Sequence, residues 1–145
     1  MADETQKPIE IIKGLPPNFD AIARVLPAAR QKGTIFTYGH QIYVSDGAAL
    51  PKSIVAHEVV HVEQQFLYGR DEWWDRYLSD IDFRFQMELA AHRMEHTVAM
   101  SEGARHERRR AEKLIAQRLA GPLYGNACTV ARAHALLKET TNDAP

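Results

Sequence analysis

The sequence is short of cysteine and of long apolar runs, and both shortages exclude classes of protein. Cys128 is the only cysteine among 145 residues, which excludes an intrachain disulfide framework and a Cys-rich zinc finger. No apolar run approaches the about 20 residues that cross a bilayer. The first residues, MADETQKPIEIIKG, lack the basic start and apolar core of a secretory signal. We therefore predict a cytoplasmic protein that has no membrane partner and is not secreted through a signal peptide.

The sequence also lacks an excess of charge of either sign. It carries 18 Lys and Arg against 19 Asp and Glu, a formal net charge of −1, so no global attraction to nucleic acid or membrane is expected. The one dense basic run, RHERRRAEK at residues 105–113, is interleaved with Glu107 and Glu112. It favours a solvated helix face with internal i,i+4 ion pairs over a nucleic-acid surface.

Three short runs rich in β-branched and aromatic residues stand near the N-terminus. They are PIEII, TIFTY and QIYVS, and Gly39-His40 between the last two predicts a tight hairpin. Between the first run and the hairpin, FDAIARVLPAAR predicts a short helix that Asn18 can cap. The remaining chain has mostly helical patterns, so we predict an α+β fold: a small N-terminal sheet of about three strands with helices, then a mostly helical C-terminal part.

Several helices are predicted after the hairpin, within one domain spanning residues 1–145 whose ends, 1–7 and 140–145, are flexible. The first runs from about Lys52 to Tyr68 and stops at Gly69. Residues 71–101 lack proline and glycine and predict one long helix or two abutting ones. Trp73 and Trp74 point about 100° apart on it, so we expect one in the core and one on the surface. Two further segments follow, ARHERRRAEKLIAQRLA and ACTVARAHALLKE.

The stretch SIVAHEVVHVEQQ combines two histidines and a glutamate inside an apolar run. Residues i and i+4 of a helix lie on one face, so His57 and His61 can present two imidazole nitrogens to one zinc ion. Glu58 projects beside that position, where it can act as general base toward water. The alternative is a buried polar cluster that is satisfied without metal. A buried helix has no structural need for these side chains, and a metal supplies the partners they require.

A zinc site of this kind needs a third protein ligand. The segment MELAAHRMEH places Glu88, His92 and Glu95 along one helix face, and the small residues after Glu88 would let that helix approach the first. We choose Glu88 as the third ligand, with His92 or Glu95 orienting a ligand histidine through a hydrogen bond. The alternative is the exposed face of a charged helix.

His57, Glu58, His61 and the Glu88-to-Ala91 stretch together resemble the gluzincin metallopeptidases, in which His-Glu-x-x-His is joined by a glutamate in a Glu-x-x-Ala context. The segments FTYGHQIYV, WWDRYLSDIDFRFQMELAAHRMEH and RLAGPLYGN resemble small metallopeptidase-like proteins of tailed bacteriophages and prophages. This resemblance implies a minimal zincin fold, a Zn²⁺ cofactor, and an edge strand that can pair with an extended peptide.

The resemblance also implies an activity and further site residues. It implies hydrolysis of a peptide or protein substrate, with His57, His61 and Glu88 as metal ligands and Glu58 as general base. The family stabilises the oxyanion with a Tyr or His, for which Tyr77, His92 and His96 are candidates. Where larger gluzincins place an acidic residue four positions after the third ligand, this sequence has His92.

Two alternative functions belong to other classes. The first is a structural or assembly component of a phage particle, in which zinc ties two helices together and the partners are phage structural proteins. It would place the protein in the virion rather than only in the bacterial cytoplasm. The second is nucleic-acid binding through residues 105–110, which the interleaved glutamates disfavour.

Overall fold

The N-terminal strands form one mixed sheet. In a computed structural model, which describes residues 7–139, the strands are β1 (Glu10–Lys13), β2 (Ile35–Tyr38) and β3 (Gln41–Val44). Their order is β1-β3-β2, with β1 parallel and β2 antiparallel to β3. Gly39 has a φ of +63° in the β2–β3 turn, a value that glycine adopts without strain. The three strands and the hairpin are therefore confirmed, and β2 is an edge strand.

The helix between β1 and the hairpin is shorter than predicted. Helix α1 (Phe19–Val25) ends before Pro27, where a 3-10 turn (Pro27–Arg30) continues the chain. The predicted cap is wrong, because Asn18 makes no side-chain capping hydrogen bond and its Oδ1 is buried without a partner. Its backbone, at φ −96° and ψ 18°, is outside the extended region from which capping side chains reach the first turn.

Five helices form the rest of the described chain, so the predicted α+β architecture is confirmed. They are α2 (Lys52–Tyr68), α3 (Arg70–Ser79), α4 (Ile81–Met100), α5 (Arg105–Leu119) and α6 (Val130–Lys138). Of the two interpretations of residues 71–101, two abutting helices is the one observed. The break is at Asp80, whose backbone is extended and whose Oδ1 accepts from the N–H groups of Asp82 and Phe83. The side chain thus caps α4.

Apolar side chains gather in two clusters. One joins the sheet, α1, α3 and the start of α4, and the other joins α4, α5 and α6. Trp73 and Trp74 are both in the first cluster, only 1% and 7% exposed, so the expected division between core and surface is wrong. Helix α3 has packing partners on two sides: Trp73 lies against His61 of α2, with ring centroids 5.3 Å apart, and Trp74 Nε1 donates to Thr37 O of β2.

Helix α2 buries a polar face. Its buried residues are His57, Glu58, His61, Gln64 and Gln65. Phe66, Leu67 and Tyr68 at its end are 42%, 66% and 44% exposed. Burying polar groups costs free energy unless they find partners. The buried polar side chains of α2 therefore require partners on the elements packed against them.

The basic run on α5 is exposed to solvent, with Arg108, Ala111 and Glu112 partly buried. The predicted internal ion pairs do not form at Glu112, because its carboxylate turns to His96 of α4 and to His134 and Lys138 of α6. Within residues 7–139 no helix combines the length and apolar character needed to cross a bilayer. Of the ends predicted to be flexible, 1–7 and 140–145, all but Lys7 lie outside the described residues.

Candidate metal centre

Helices α2 and α4 pack together so that His57, His61 and Glu88 converge. His57 Nε2 lies 3.3 Å from Glu88 Oε2, and His61 Nε2 lies 2.9 Å from Glu88 Oε1. One ligand atom from each residue falls within 4.8 Å of the others, and all three residues are buried. The i,i+4 spacing gives the two histidines one face, and the packing of α4 brings the carboxylate. These buried groups could hold a metal ion.

The charges of this cluster are balanced within it. Burial alone would lower the pKa of His57, but hydrogen bonds to Glu88 and Glu95 hold that pKa well above its usual range. The pKa of His61 is likewise raised, because the charge of Glu88 outweighs burial. Burial would raise the pKa of Glu88, yet the charge of His61 and hydrogen bonds from both histidines hold it well below its usual range. The buried Glu88 carboxylate requires a positive charge beside it, which either the protonated histidines or a bound metal ion can supply.

Glu95 orients the first histidine. Its Oε1 lies 2.8 Å from His57 Nδ1 and 3.0 Å from His92 Nδ1. A proton on His57 Nδ1 is therefore donated to Glu95, which leaves Nε2 facing Glu88. Of the two predicted orienting residues, Glu95 hydrogen-bonds a ligand histidine directly. His92 packs its ring edge-on against His57, with centroids 4.5 Å apart, and shares the same Glu95 oxygen.

His57, His92 and Glu95 also form a second group with metal-ligand spacing. The two groups share His57. Glu95 Oε1 already lies at hydrogen-bond distance from both Nδ1 atoms, which is the arrangement of a carboxylate that orients imidazoles. His57, His61 and Glu88 all line one open cavity together with Glu58, whereas His92 and Glu95 do not line it, so the first group is the better candidate for direct coordination.

Gln64 orients His61 through its Nδ1, as Glu95 orients His57. Gln64 was not among the site residues predicted from the sequence. Gln64 Oε1 lies 2.9 Å from His61 Nδ1, and its Nε2 donates to Met87 O at 3.1 Å. The amide thus aligns His61 and connects α2 to the residue before Glu88. The i,i+3 spacing of His61 and Gln64 was a usable local signal.

Two tyrosine hydroxyls hold Glu88 from the side of the cleft. Tyr77 donates to Oε1 at 3.0 Å, and Tyr124 donates to Oε2 at 2.8 Å. Burial, followed by the charge of Glu88, raises the pKa of both tyrosines well above the usual range, so both hydroxyls keep their protons. Tyr77 was a predicted site residue. Tyr124 was missed, since nothing in its local turn GPLYGN marks it.

Buried Arg84 secures the segments that carry both tyrosines. Its guanidinium donates to the backbone carbonyls of Tyr77, Leu78 and Leu123 at 2.8, 3.3 and 3.1 Å. The first two carbonyls lie at the C-terminal end of α3, where a cation is favourable. The third lies beside Tyr124 in a 3-10 turn (Pro122–Tyr124). Arg84 therefore fixes the turn against the end of α3.

Glu58, the predicted general base, is buried next to the ligand cluster. Its Oε1 lies 4.0 Å from His57 Nε2, and its Oε2 accepts a 2.6 Å hydrogen bond from the Thr37 hydroxyl of β2. Thr37 was also missed, because no local pattern connects a strand residue with a glutamate 21 positions later.

The three oxyanion candidates have different locations. Tyr77 is at the cluster, and His92 Nε2 lies 3.3 Å from the Tyr124 hydroxyl and 3.7 Å from Glu88 Oε2. His96 is directed elsewhere, because its Nε2 lies 2.8 Å from Glu112 Oε2 at the contact with α5. His92 and His96 are one helical turn apart, but His92 contacts Tyr124 and Glu95 whereas His96 contacts Glu112 of α5, so His96 does not reach the cleft.

The site opens into a cleft of about 280 Å³. The polar end is formed by His57, Glu58, His61, Glu88 and Tyr124. Thr34 and the first three residues of β2 also line the cleft. The other walls are apolar and come mainly from α1, its following 3-10 turn and α3; they include Ile22, Leu26, Ala29, Phe36, Trp73 and Trp74. Small apolar pockets with a few convergent polar groups are characteristic of binding sites.

Comparisons with known proteins provide no relative for this chain: no family model matches it, and neither a curated protein nor a solved structure matches it significantly. We therefore infer the function from the residues of the site and their geometry.

Proposed function

We propose that this protein is a zinc-dependent metallopeptidase-like hydrolase. The observation that carries the proposal is the convergence of His57, His61 and Glu88 with the Glu58 carboxylate beside them. Two imidazoles and a carboxylate are a ligand set typical of catalytic zinc, which keeps one position open. When bound, the metal would polarise a carbonyl oxygen and lower the pKa of water to about 7.

Glu58 supplies the proton transfers in this proposal. Its Oε1 is the oxygen directed toward the ligand cluster, because Oε2 is held by Thr37. The carboxylate accepts a proton from the attacking water and returns it to the leaving amine. Glu58 is only 7% exposed, and such burial strengthens electrostatic interactions relative to bulk water.

A tyrosine hydroxyl is the better candidate than His96 for stabilising the oxyanion. Tyr124 lines the cleft and keeps its proton, and it can redirect its hydroxyl from Glu88 to an oxygen that gains charge. Tyr77 has the same contact with the other oxygen of Glu88. His92 then acts through Tyr124, whose hydroxyl it contacts.

The edge strand supports a peptide as substrate. Thr34 O accepts from Ser45 N, so the alternation of an antiparallel pair directs the backbone groups of Ile35 and Thr37 away from β3. Thr37 O is taken by Gln65 Nε2 and Trp74 Nε1. An extended peptide can therefore pair with β2 at Ile35 while its scissile bond lies at the polar end of the cleft.

The test of this proposal is Glu58→Gln, compared with Glu63→Gln on the exposed side of the same helix. Glu58→Gln should keep stoichiometric zinc and the wild-type circular dichroism spectrum. It should lose about 10²- to 10⁴-fold in kcat on a peptide that the wild type cleaves, while Glu63→Gln stays active. Full activity of Glu58→Gln would contradict the mechanism.

A structural role for the metal is the second candidate, and one observation favours it. Both oxygens of Glu88 already accept tyrosine hydroxyls, and the ligands come from two helices that the metal would tie together. Metal removal would then unfold the domain, and no peptide would be cleaved. In that case the assembly component of a phage particle is the function we propose. The phage origin itself depends only on the resemblance of the sequence.

A further inference from the structure

Among residues 7–139, Thr37 is the only sheet residue that hydrogen-bonds the Glu58 side chain. It lies in the edge strand β2 and is 2% exposed. Its hydroxyl donates to Glu58 Oε2 at 2.6 Å, the short distance typical of a hydroxyl bonded to a carboxylate. The same hydroxyl oxygen lies 3.4 Å from Glu58 O, so it is seated over the turn of α2 that carries the glutamate.

The backbone of Thr37 is anchored independently of this hydroxyl. Its carbonyl oxygen accepts from Gln65 Nε2 at 2.9 Å and from Trp74 Nε1 at 3.1 Å. Gln65 Oε1 in turn accepts from Gly39 N at 2.7 Å. Because α2 and α3 both bind this part of β2, the hydroxyl has a fixed position relative to Glu58. Replacing the hydroxyl alone should leave the strand in place.

We infer that Thr37 is a positioning residue for Glu58, an inference that rests on the proposed hydrolytic function. A carboxylate held at Oε2 cannot rotate freely about its terminal bond, so Oε1 stays directed toward the ligand cluster, 4.0 Å from His57 Nε2. Such orientation matters because proton transfer requires the base to be within hydrogen-bond reach of the reacting water. Thr37 also connects the strand that would receive the peptide with the base that would act on it.

The kinetic test compares Thr37→Val with Thr37→Ser. Valine keeps the β-branched shape and lacks the hydroxyl, whereas serine keeps the hydroxyl. Thr37→Val should lower kcat about 10- to 100-fold with KM and zinc content unchanged, and Thr37→Ser should restore most of kcat. Thr97→Val makes the same chemical change on the exposed side of α4, where Thr97 bonds only Arg93 O, and should behave as the wild type.

A second readout needs no activity. Urea unfolding is measured in saturating zinc for Thr37→Val, Glu58→Ala and the double variant, and again without metal where the protein stays folded. If the two side chains interact, the double variant should shift the unfolding midpoint by clearly less than the sum of the single shifts. Thr97→Val combined with Glu58→Ala should give additive shifts.

Different outcomes would contradict the role of Thr37 and the proposed hydrolytic function. An active wild type with an equally active Thr37→Val variant, or a serine variant that fails to restore kcat, would overturn the role of Thr37. A wild type that binds zinc but cleaves no peptide would contradict the proposed function instead. The unfolding midpoints would then still test the contact between Thr37 and Glu58. Non-additive shifts in the double variant would support the contact, and additive shifts would overturn it.

Discussion

At the scale of single residues, the site consists of pairs in which one side chain fixes another. Glu95 aligns His57, Gln64 aligns His61, and Thr37 holds Glu58. Such partners determine which ring nitrogen faces a metal and which carboxylate oxygen remains free. The ligand atoms are therefore oriented before any metal binds, which reduces the entropy lost on binding.

Gln64 provides a prediction at this scale. Gln64→Leu removes the acceptor for His61 Nδ1 and the donor to Met87 O, and fills the position with an apolar side chain of similar volume. We expect zinc affinity to fall about 10- to 100-fold, measured by competition with a chromophoric chelator. Gln86→Leu, an exposed change on α4, should leave the affinity unchanged. Wild-type affinity in Gln64→Leu would mean that the packing of α2 alone orients His61.

At the scale of elements, one carboxylate links both C-terminal helices to α4, in addition to the apolar cluster that the three helices share. Glu112 of α5 bonds His96 of α4 through Oε2, and His134 and Lys138 of α6 through Oε1. Partial burial alone would raise the pKa of Glu112, but hydrogen bonds from His96, His134 and Lys138 lower it to about 2. This side chain thus joins three helices, one of which carries Glu88.

Glu112→Gln should lower the free energy of unfolding at pH 7 by about 1–2 kcal/mol, since hydrogen bonds to a partly exposed charge are lost. The folded pKa lies below the ordinary value of 4.5, so the stabilisation is complete above that pH and is lost as the pH falls toward 2. Urea unfolding of metal-free protein should show the difference from wild type shrinking at pH 3.

The control for this prediction is Glu107→Gln on the same helix. Glu107 is 62% exposed and its carboxylate is 3.9 Å from His106. Its replacement should change the free energy of unfolding by less than about 0.5 kcal/mol. An equal loss in both variants at pH 7 would mean that general helix electrostatics, rather than the three-helix contact, explains the effect.

At the scale of the whole molecule, the candidate metal centre lies where the two halves of the fold meet. One apolar cluster contains the sheet, α1 and α3, the other contains α5 and α6, and α4 contributes to both. The site joins α2 to α4 between them. A metal that binds only the folded protein should therefore stabilise the whole molecule.

Saturating zinc should raise the melting temperature by about 5–10 °C, since a ligand at 100 times its Kd contributes about 2.7 kcal/mol. The measurement is a thermal melt followed by circular dichroism, with and without zinc. His61→Ala should abolish the shift, whereas His106→Ala, which changes a side chain that is 76% exposed, should keep it. No shift in the wild type would contradict a metal centre here.

The sequence by itself determined the elements and half of the candidate centre. Helical periodicity and the stop at Gly69 depend on nearby residues, and so does the placement of His57 and His61 on one face of α2. Glu88 could be proposed because it stands in a recognisable local pattern. Local patterns were insufficient where residues distant in sequence decide the conformation or the burial. Examples are Asn18, which does not cap α1, and Trp73 and Trp74, which are both buried.

Only the tertiary structure decided which partners complete the site. Thr37 and Tyr124 reach it from segments 21 and 36 residues away from their partners Glu58 and Glu88, and no local periodicity encodes such distances. His92 and His96 are one turn apart in α4, yet one contacts the Tyr124 hydroxyl beside the candidate metal centre and the other contacts Glu112 of α5. The physical reason is that helix packing selects the face each side chain presents, and packing depends on the whole core.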